Sequence, residues 1–163
     1  MDKYSEVESE SGNRIIKETF SEDESREFAK KMGEKALEGD VYTLIGDLGV
    51  GKTVFTQGFA AGLGIKEYIN SPTFTIVQEY QGGRLPLYHF DVYRIGDISE
   101  MEEIGYEDYF YGDGVSLIEW ADLIEELIPK DAVNIIIEKD LEKDFNYRRI
   151  IIESRKRENS SFN

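Results

Sequence analysis

Cysteine is absent from the 163 residues, which excludes disulfides, thiolate nucleophiles and the Cys-rich kind of zinc site. The chain also has only one histidine and one tryptophan. Basic residues are scarce: 19 Lys and Arg stand against 34 Asp and Glu, which gives a formal net charge of −15. Because contacts to a phosphate backbone need clustered Lys and Arg, this charge works against direct, unassisted binding to nucleic acid or to an anionic membrane.

Long apolar runs are missing as well, and none approaches the length of a membrane span. The first 13 residues are acidic and polar, unlike a signal peptide. We therefore expect a soluble, cytoplasmic protein. We predict a disordered N-terminus at residues 1–13, a single domain at 14–153 and a frayed tail at 154–163.

Strand-like and helix-like patterns alternate along the predicted domain. Capping-box pairs, Ser21 with Glu24 and Ser99 with Glu102, indicate two helix starts. A Gly-Gly pair after Tyr80 predicts a hairpin. The predicted helices are residues 21–39, 53–63, 99–105 and the segment after Trp120 through Leu127. The predicted strands are residues 14–20, 41–45, 73–80, 85–94, 115–120, 133–138 and 149–153. Strands alternating with helices predict an α/β sandwich with a partly parallel sheet.

Residues 46–53 read GDLGVGKT and match G-x-x-x-x-G-K-[ST] throughout. A compact apolar strand precedes this segment and an amphipathic helix follows it, as in a P-loop NTPase-like three-layer sandwich with a mixed sheet. The glycines let backbone N–H groups surround a phosphate, while Lys52 reaches the outer phosphates and the Thr53 hydroxyl can hold Mg²⁺. The predicted nucleotide-binding residues are Gly46, Asp47, Leu48, Gly49, Val50, Gly51, Lys52, Thr53 and Val54.

A P-loop site also needs a carboxylate for Mg²⁺ and a group that positions the attacking water. Asp91 and Glu119 each end an apolar strand, where such groups occur in α/β proteins. The residues alone do not choose between them, although Asp is the more usual metal acid. His89, the only histidine, is two residues before Asp91, and we assign it a structural role.

The sequence indicates the base of the bound nucleotide less clearly than it indicates the phosphates. The guanine signature N-K-x-D and the switch tetrapeptide D-x-x-G of Ras-type GTPases are both missing from the sequence. Their absence favours ATP over GTP.

Several segments together resemble the TsaE (YjeE) family, P-loop ATPases of bacterial tRNA threonylcarbamoyladenosine synthesis. The resemblance extends from Arg14 to Trp120, and beyond it only Arg149, before the last strand, suggests a further match. The matching segments are GDLGVGKT at 46–53, SPTFTIVQEY at 71–80, YHFDVYR at 88–94, MEEIGYEDYF at 101–110 and LIEW at 117–120.

The resemblance implies an ATPase, slow alone and stimulated by partners, which joins TsaB and TsaD and permits turnover of their complex. It would contact tRNA only indirectly and have no membrane partner. Thr53 and Glu119 would hold Mg²⁺, while Lys52 and Asp91 would be catalytic, with Asp91 positioning or activating water. The resemblance also implies a switch or partner-facing role for Ser71, Thr73 and Trp120.

Two other functions are compatible with a P-loop. A small-molecule kinase has a similar size and the same phosphate loop, but usually adds an arginine-bearing lid that excludes water. Here Arg84 and Arg94 flank the end of a hairpin. A nucleotide-gated binding module would keep Lys52 and Thr53 but would not need Asp91.

Overall fold

The computed structural model describes residues 14–47, 49–72 and 75–154. The predicted N-terminal segment 1–13 lies outside these ranges, as do residues 155–163 of the predicted tail; Ser154 is the last residue of a strand. The helices are α1 (Glu22–Lys35), α2 (Lys52–Gly62), α3 (Ser99–Glu103), α4 (Tyr106–Phe110) and a 3₁₀ helix at Ala121–Leu127. The strands are β1 (Arg14–Thr19), β2 (Val41–Ile45), β3 (Val77–Tyr80), β4 (Leu87–Asp91), β5 (Val115–Glu119), β6 (Val133–Lys139) and β7 (Arg148–Ser154).

The strands form one mixed sheet in the order β1-β7-β6-β2-β5-β4-β3. Its four central strands, β6, β2, β5 and β4, are parallel. The strands toward the edges pair antiparallel: β7 on β6, β1 on β7, and β3 on β4. The predicted α/β fold with a partly parallel sheet is therefore confirmed. All five residues of β5 are buried, because helices cover both faces of a parallel sheet.

Two apolar clusters divide the core between the two faces of the sheet. Helices α1 and α2 pack on one face, where Leu117 of β5 points. The next residue, Ile118, points to the opposite face, which α3, α4 and the 3₁₀ helix cover. The domain thus has three layers. Among the described residues, no helix is long and apolar enough to cross a membrane.

The predicted C-terminal end of α1 is wrong by four residues. The helix ends at Lys35 rather than near Gly39, and Ala36 already has an extended backbone. Three carbonyls at this end accept hydrogen bonds from one nitrogen of Arg84, at 2.8 to 3.0 Å. The last carbonyls of a helix lack the usual intrahelical donors, and within the described residues only that of Gly33 among these three also accepts a backbone N–H, from Ala36 at 3.3 Å. Arg84 lies on the β3–β4 hairpin, so the helix end depends on a residue far away in sequence.

The hairpin itself is confirmed, but its strands are shorter than predicted. Strand β3 begins at Val77 rather than at residue 73, because Ile76 has a left-handed backbone with φ of 65°. Thr73 and Phe74 lie outside the described residues. Strand β4 ends at Asp91 rather than at Arg94.

The predicted capping box at Ser99 is also wrong. Ile98 is the N-cap of α3, and the side chains that accept nearby backbone N–H groups are those of Asp97 and Glu100. The helix ends at Glu103, close to the predicted end near Gly105, and α4 follows as a separate, unpredicted turn. The helix predicted after Trp120 is a 3₁₀ helix, with a non-helical residue at Ile124.

Helices α1 and α2 approach each other closely through three glycines. A Cβ added at any of them would overlap a backbone carbonyl oxygen of the other helix. These glycines are Gly33, Gly58 and Gly62. At Gly58, the added Cβ would also lie 3.0 Å from the Cβ of Ala29. The absence of side chains here brings the two backbones together and positions α2, which begins at the phosphate loop.

We predict that Gly58→Ala lowers the free energy of unfolding by about 2 kcal/mol, because the methyl group overlaps the Arg26 carbonyl. This sign is opposite to that of helix propensity, which favours Ala over Gly by about 1 kcal/mol in a helix interior. Urea unfolding measures the difference, with exposed Ala61→Gly as the control for propensity alone. A more stable Gly58→Ala protein would contradict the close contact.

Candidate nucleotide and metal site

The phosphate loop connects the end of β2 to the start of α2, as the motif predicts. Gly51 is the N-cap of α2 and has φ of 108°, a conformation that residues with a Cβ rarely adopt. The N–H groups at the start of α2 have no partners within the helix and are suited to binding an anion. Val50 is buried, whereas Asp47 and Thr53 are exposed. Gly46, Gly49 and Val54 also lie in this loop or the first turn of α2, and Leu48 lies outside the described residues.

A carboxylate at the end of β5 connects the loop to the neighbouring strands. Glu119 is 7% exposed, and its Oε1 lies 3.8 Å from Nζ of Lys52. Its Oε2 lies 2.9 Å from Nε2 of His89, so an ionised Glu119 accepts this bond from the Nε2–H. The two predicted site residues, Lys52 and Glu119, are therefore brought together, and His89 contacts the same carboxylate.

Asp91 lies directly opposite Glu119, because β4 and β5 are parallel and the two residues are register partners. The backbone around Asp91 is fixed: its N–H donates to Ile76 at 2.8 Å, and the N–H of Val92 donates to the Glu119 carbonyl at 3.3 Å. Oδ1 of Asp91 accepts a hydrogen bond from the N–H of Tyr93 at 3.0 Å. Both acids thus project from the carboxyl edge of the sheet, beside the phosphate loop.

Trp120 borders this group of charged residues. Its backbone is left-handed, with φ of 65°, and its ring centroid lies 4.7 Å from that of Tyr93. Nζ of Lys52 lies 5.2 Å from the centroid of the Trp120 ring, within cation–π range. Trp120 thus lies beside Lys52, and the role assigned to it stays a prediction.

The predicted switch segment is only partly described. Ser71 is exposed and Pro72 is buried, while Thr73 lies outside the described residues. The preceding residue, Asn70, exchanges two hydrogen bonds with the Tyr80 hydroxyl, each 3.1 Å long. These bonds attach the segment to the end of β3. The roles assigned to Ser71 and Thr73 stay predictions.

Sequence reasoning missed one residue that contacts the phosphate loop. Nε of Arg148 donates to the Val50 carbonyl at 2.7 Å. Arg149, the residue singled out from the sequence, instead makes two hydrogen bonds to Glu138 on the neighbouring strand. Which of two consecutive arginines faces the loop depends on the register of β7, and nothing in the sequence indicates it.

The donor set fits Mg²⁺ bound together with phosphates rather than a metal enclosed by protein. Within the described residues, no three His, Cys, Asp or Glu side chains are grouped as a metal site. Mg²⁺ is commonly held by one or two protein oxygens, water and substrate phosphates. The Thr53 hydroxyl and the Glu119 carboxylate supply oxygens of that kind. These are the residues that would hold the ion.

Comparisons with known proteins agree on one family. A family model described as "Threonylcarbamoyl adenosine biosynthesis protein TsaE" matches residues 19–150. The tRNA threonylcarbamoyladenosine biosynthesis protein TsaE of Bacillus subtilis (strain 168) is 50% identical over 134 residues, 81% of this chain and 84% of the relative. The protein of the same name from Treponema pallidum (strain Nichols) is 45% identical over 104 residues, 64% and 76% of the two chains.

The fold has a solved counterpart as well. A crystal structure of Bacillus subtilis YdiB matches with a TM-score of 0.73 and 42% sequence identity, covering 88% of this chain and 86% of that one. At this identity the similarity concerns sequence as well as fold. It supports a P-loop NTPase-like arrangement of the three layers.

We predict that His89→Leu lowers the free energy of unfolding by about 2 kcal/mol, since it leaves a buried Glu119 oxygen without its donor. His89→Gln is the matched variant, because its side-chain amide can donate to the same oxygen, and it should recover at least half of the loss. Urea unfolding of the three proteins measures both effects. Equal stability of the Leu variant and the wild type would mean that the bond contributes nothing.

Proposed function

This chain belongs to the TsaE family, and we propose that it is a Mg²⁺-dependent ATP-binding and ATP-hydrolysing subunit required for threonylcarbamoyladenosine modification of tRNA. It acts on a complex of TsaB and TsaD homologues and permits that complex to turn over. The observation that carries the proposal is the convergence of Lys52, Glu119 and Asp91 at one edge of the sheet, next to the phosphate loop.

Binding depends on the loop and the start of α2. The backbone N–H groups there and the Lys52 ammonium would neutralise the phosphates, whose charge is the dominant feature of the ligand. Lys52 is only 11% exposed at its side chain, so little water competes for its ammonium. Thr53 and Glu119 would hold Mg²⁺, which supplies charge neutralisation at the outer phosphates.

Hydrolysis needs an acceptor for a proton of the attacking water. Asp91 is half-buried, and the Tyr93 N–H fixes one of its two oxygens. Its position opposite Glu119 supports a role in orienting water toward the terminal phosphorus atom. In that reaction the oxygen of water bonds to phosphorus, the bond to the ADP oxygen breaks, and inorganic phosphate leaves.

The arginines give less support to phosphate transfer onto a small molecule. Such kinases close an arginine-bearing lid over the phosphates to exclude water. Arg84 is instead bonded to the end of α1, where three carbonyls accept from it. Arg94, the other arginine by the hairpin, is exposed. Arg84 is therefore engaged elsewhere and does not serve such a lid, which favours hydrolysis over transfer to a small molecule.

The partners follow from the family and agree with the charge. A protein with a net charge of −15 is suited to docking on a basic protein surface rather than on RNA itself. Tyr93 is 60% exposed and its ring packs at a tilt against Trp120 beside the site, so a partner that covers it would sense nucleotide binding. Contact with tRNA would be made by the partners.

We predict that Lys52→Ala or Thr53→Ala weakens binding of Mg–ATP by at least roughly 100-fold, because each removes a main contact to the phosphates or the ion. Calorimetric titration with Mg–ATP measures the dissociation constant. Lys35→Ala, at the C-terminal end of α1, is the control for loss of a positive charge elsewhere. Unchanged affinity in both site variants would rule out the assigned phosphate site.

We predict that Asp91→Asn keeps Mg–ATP affinity within about threefold but slows phosphate release by roughly 100-fold or more. The amide still accepts the Tyr93 N–H, so the local backbone is preserved, while the proton acceptor is lost. Comparison of calorimetric binding with single-turnover hydrolysis separates the two effects. Loss of binding equal to that of Lys52→Ala would make Asp91 a metal or structural residue instead.

The overall function is tested by following the labelled γ-phosphate of ATP, with Mg²⁺, in the presence and absence of purified TsaB and TsaD homologues. We expect release as inorganic phosphate, slow for this protein alone and faster with the partners. Label on a small metabolite, at a rate indifferent to the partners, would mean a kinase. Binding with no release under either condition would indicate a nucleotide-gated binding module.

A further inference from the structure

Arg148 connects the phosphate loop to the far edge of the sheet. Its Nε donates to the Val50 carbonyl at 2.7 Å, and its Nη1 donates to the carbonyls of Phe145 and Tyr147 at 2.9 and 2.7 Å. We propose that Arg148 is a positioning residue that holds the Val50–Gly51 peptide in the orientation that binds phosphate. This inference rests on the proposed function, since it concerns how the same site binds its nucleotide.

The orientation follows from the planarity of the peptide bond. None of the described peptide bonds is cis, so the Val50 carbonyl and the Gly51 N–H point in opposite directions. A carbonyl held by Arg148 therefore turns the Gly51 N–H away from that side chain. Because Gly51 is the N-cap of α2, its N–H belongs to the N-terminal group of donors that have no partner within the helix.

The peptide needs such a restraint because of the residue that follows it. Gly51 gives the loop its left-handed backbone. Its own carbonyl accepts from the Phe55 N–H at 3.0 Å, but its lack of a Cβ leaves the preceding peptide plane easier to rotate. Rotation of the Val50–Gly51 plane would turn a carbonyl oxygen toward the phosphates and repel them. The hydrogen bond from a charged donor opposes that rotation.

Arg148 can act as a restraint because its own backbone is anchored. The preceding residue, Tyr147, is 3% exposed, and its hydroxyl donates to Oε2 of Glu18 on β1 at 2.8 Å. Burial, with that hydrogen bond, raises the pKa of Tyr147 to about 12, so the hydroxyl stays a donor at neutral pH. The Tyr147 ring also packs against Phe20, with centroids 5.5 Å apart. Val50, whose carbonyl accepts the bond from Arg148, is also buried.

The chain offers a matched control in the next residue. Arg149 has the same side chain, but it pairs with Glu138 on β6 at the surface. Arginine is also required at position 148 by geometry, since one planar group serves three carbonyls in different directions. A lysine there keeps the positive charge but not this arrangement.

The test uses four variants: Arg148→Lys, Arg148→Met, Arg149→Lys and Arg149→Met. Calorimetry gives the dissociation constants for Mg–ADP and for inorganic tripolyphosphate, a probe that has phosphates and no base. Thermal melting without ligand gives the stability of each variant. The titrations are run well below every melting temperature, so that a purely structural effect does not change the affinity.

We expect both Arg148 variants to bind Mg–ADP and tripolyphosphate roughly tenfold more weakly, the usual scale for losing a hydrogen bond from a charged group. The Arg149 variants should bind both ligands as the wild type does. If Arg148→Met does not fold, Arg148→Lys carries the test alone.

Three results would overturn the inference. Affinities of the Arg148 variants within twofold of wild type would show that the bond does not position the loop. Normal binding by Arg148→Lys with weak binding by Arg148→Met would assign the effect to charge alone. A wild-type protein that binds neither Mg–ADP nor Mg–ATP would remove the proposed function as well, whereas the first two results leave it intact.

Discussion

The parallel pairing of β4, β5 and β2 is the constraint on which the site depends. It brings the ends of three strands to one edge of the sheet, so that Asp91, Glu119 and the loop before Lys52 are neighbours although they are far apart in sequence. Without the pairing, each residue would be an ordinary charged side chain at a strand end. The carboxylate of Glu119 contacts both Lys52 of α2 and His89 of β4, which shows that side chains from these elements meet at this edge.

The antiparallel strands have a different task. The parallel strands carry the residues that would meet the ligand, while β7 begins with Arg148, whose side chain bonds to the loop. Tyr147 connects β1 to the start of β7, and Arg148 extends the connection to Val50. The close contact between α1 and α2 also fixes the end of the same loop, because α2 begins where the loop ends. The site is thus supported by parts of the chain that do not belong to its motif.

The sequence predicts what depends on neighbouring residues and misses what depends on distant ones. The phosphate loop is predicted well because its glycines, its lysine and its flanking strand and helix are contiguous. The end of α1 is predicted badly because its carbonyls accept from Arg84, about fifty residues away. For the same reason the sequence does not identify which of Arg148 and Arg149 contacts the loop, because the register of β7 decides it. The residues alone do not choose between Asp91 and Glu119 as the metal acid, and only the family resemblance assigns them different roles.

The position of Trp120 matters for fluorescence measurements on this protein. It is the only indole in the chain, and its ring lies 5.2 Å from the ammonium of Lys52. A nearby cation alters the energy of the excited indole, so the tryptophan emission of the protein depends on where this ammonium group lies. A phosphate that attracts Lys52 away from the ring would change that emission. The molecule therefore contains an optical sensor of its own loop, which needs no attached dye and no labelled nucleotide.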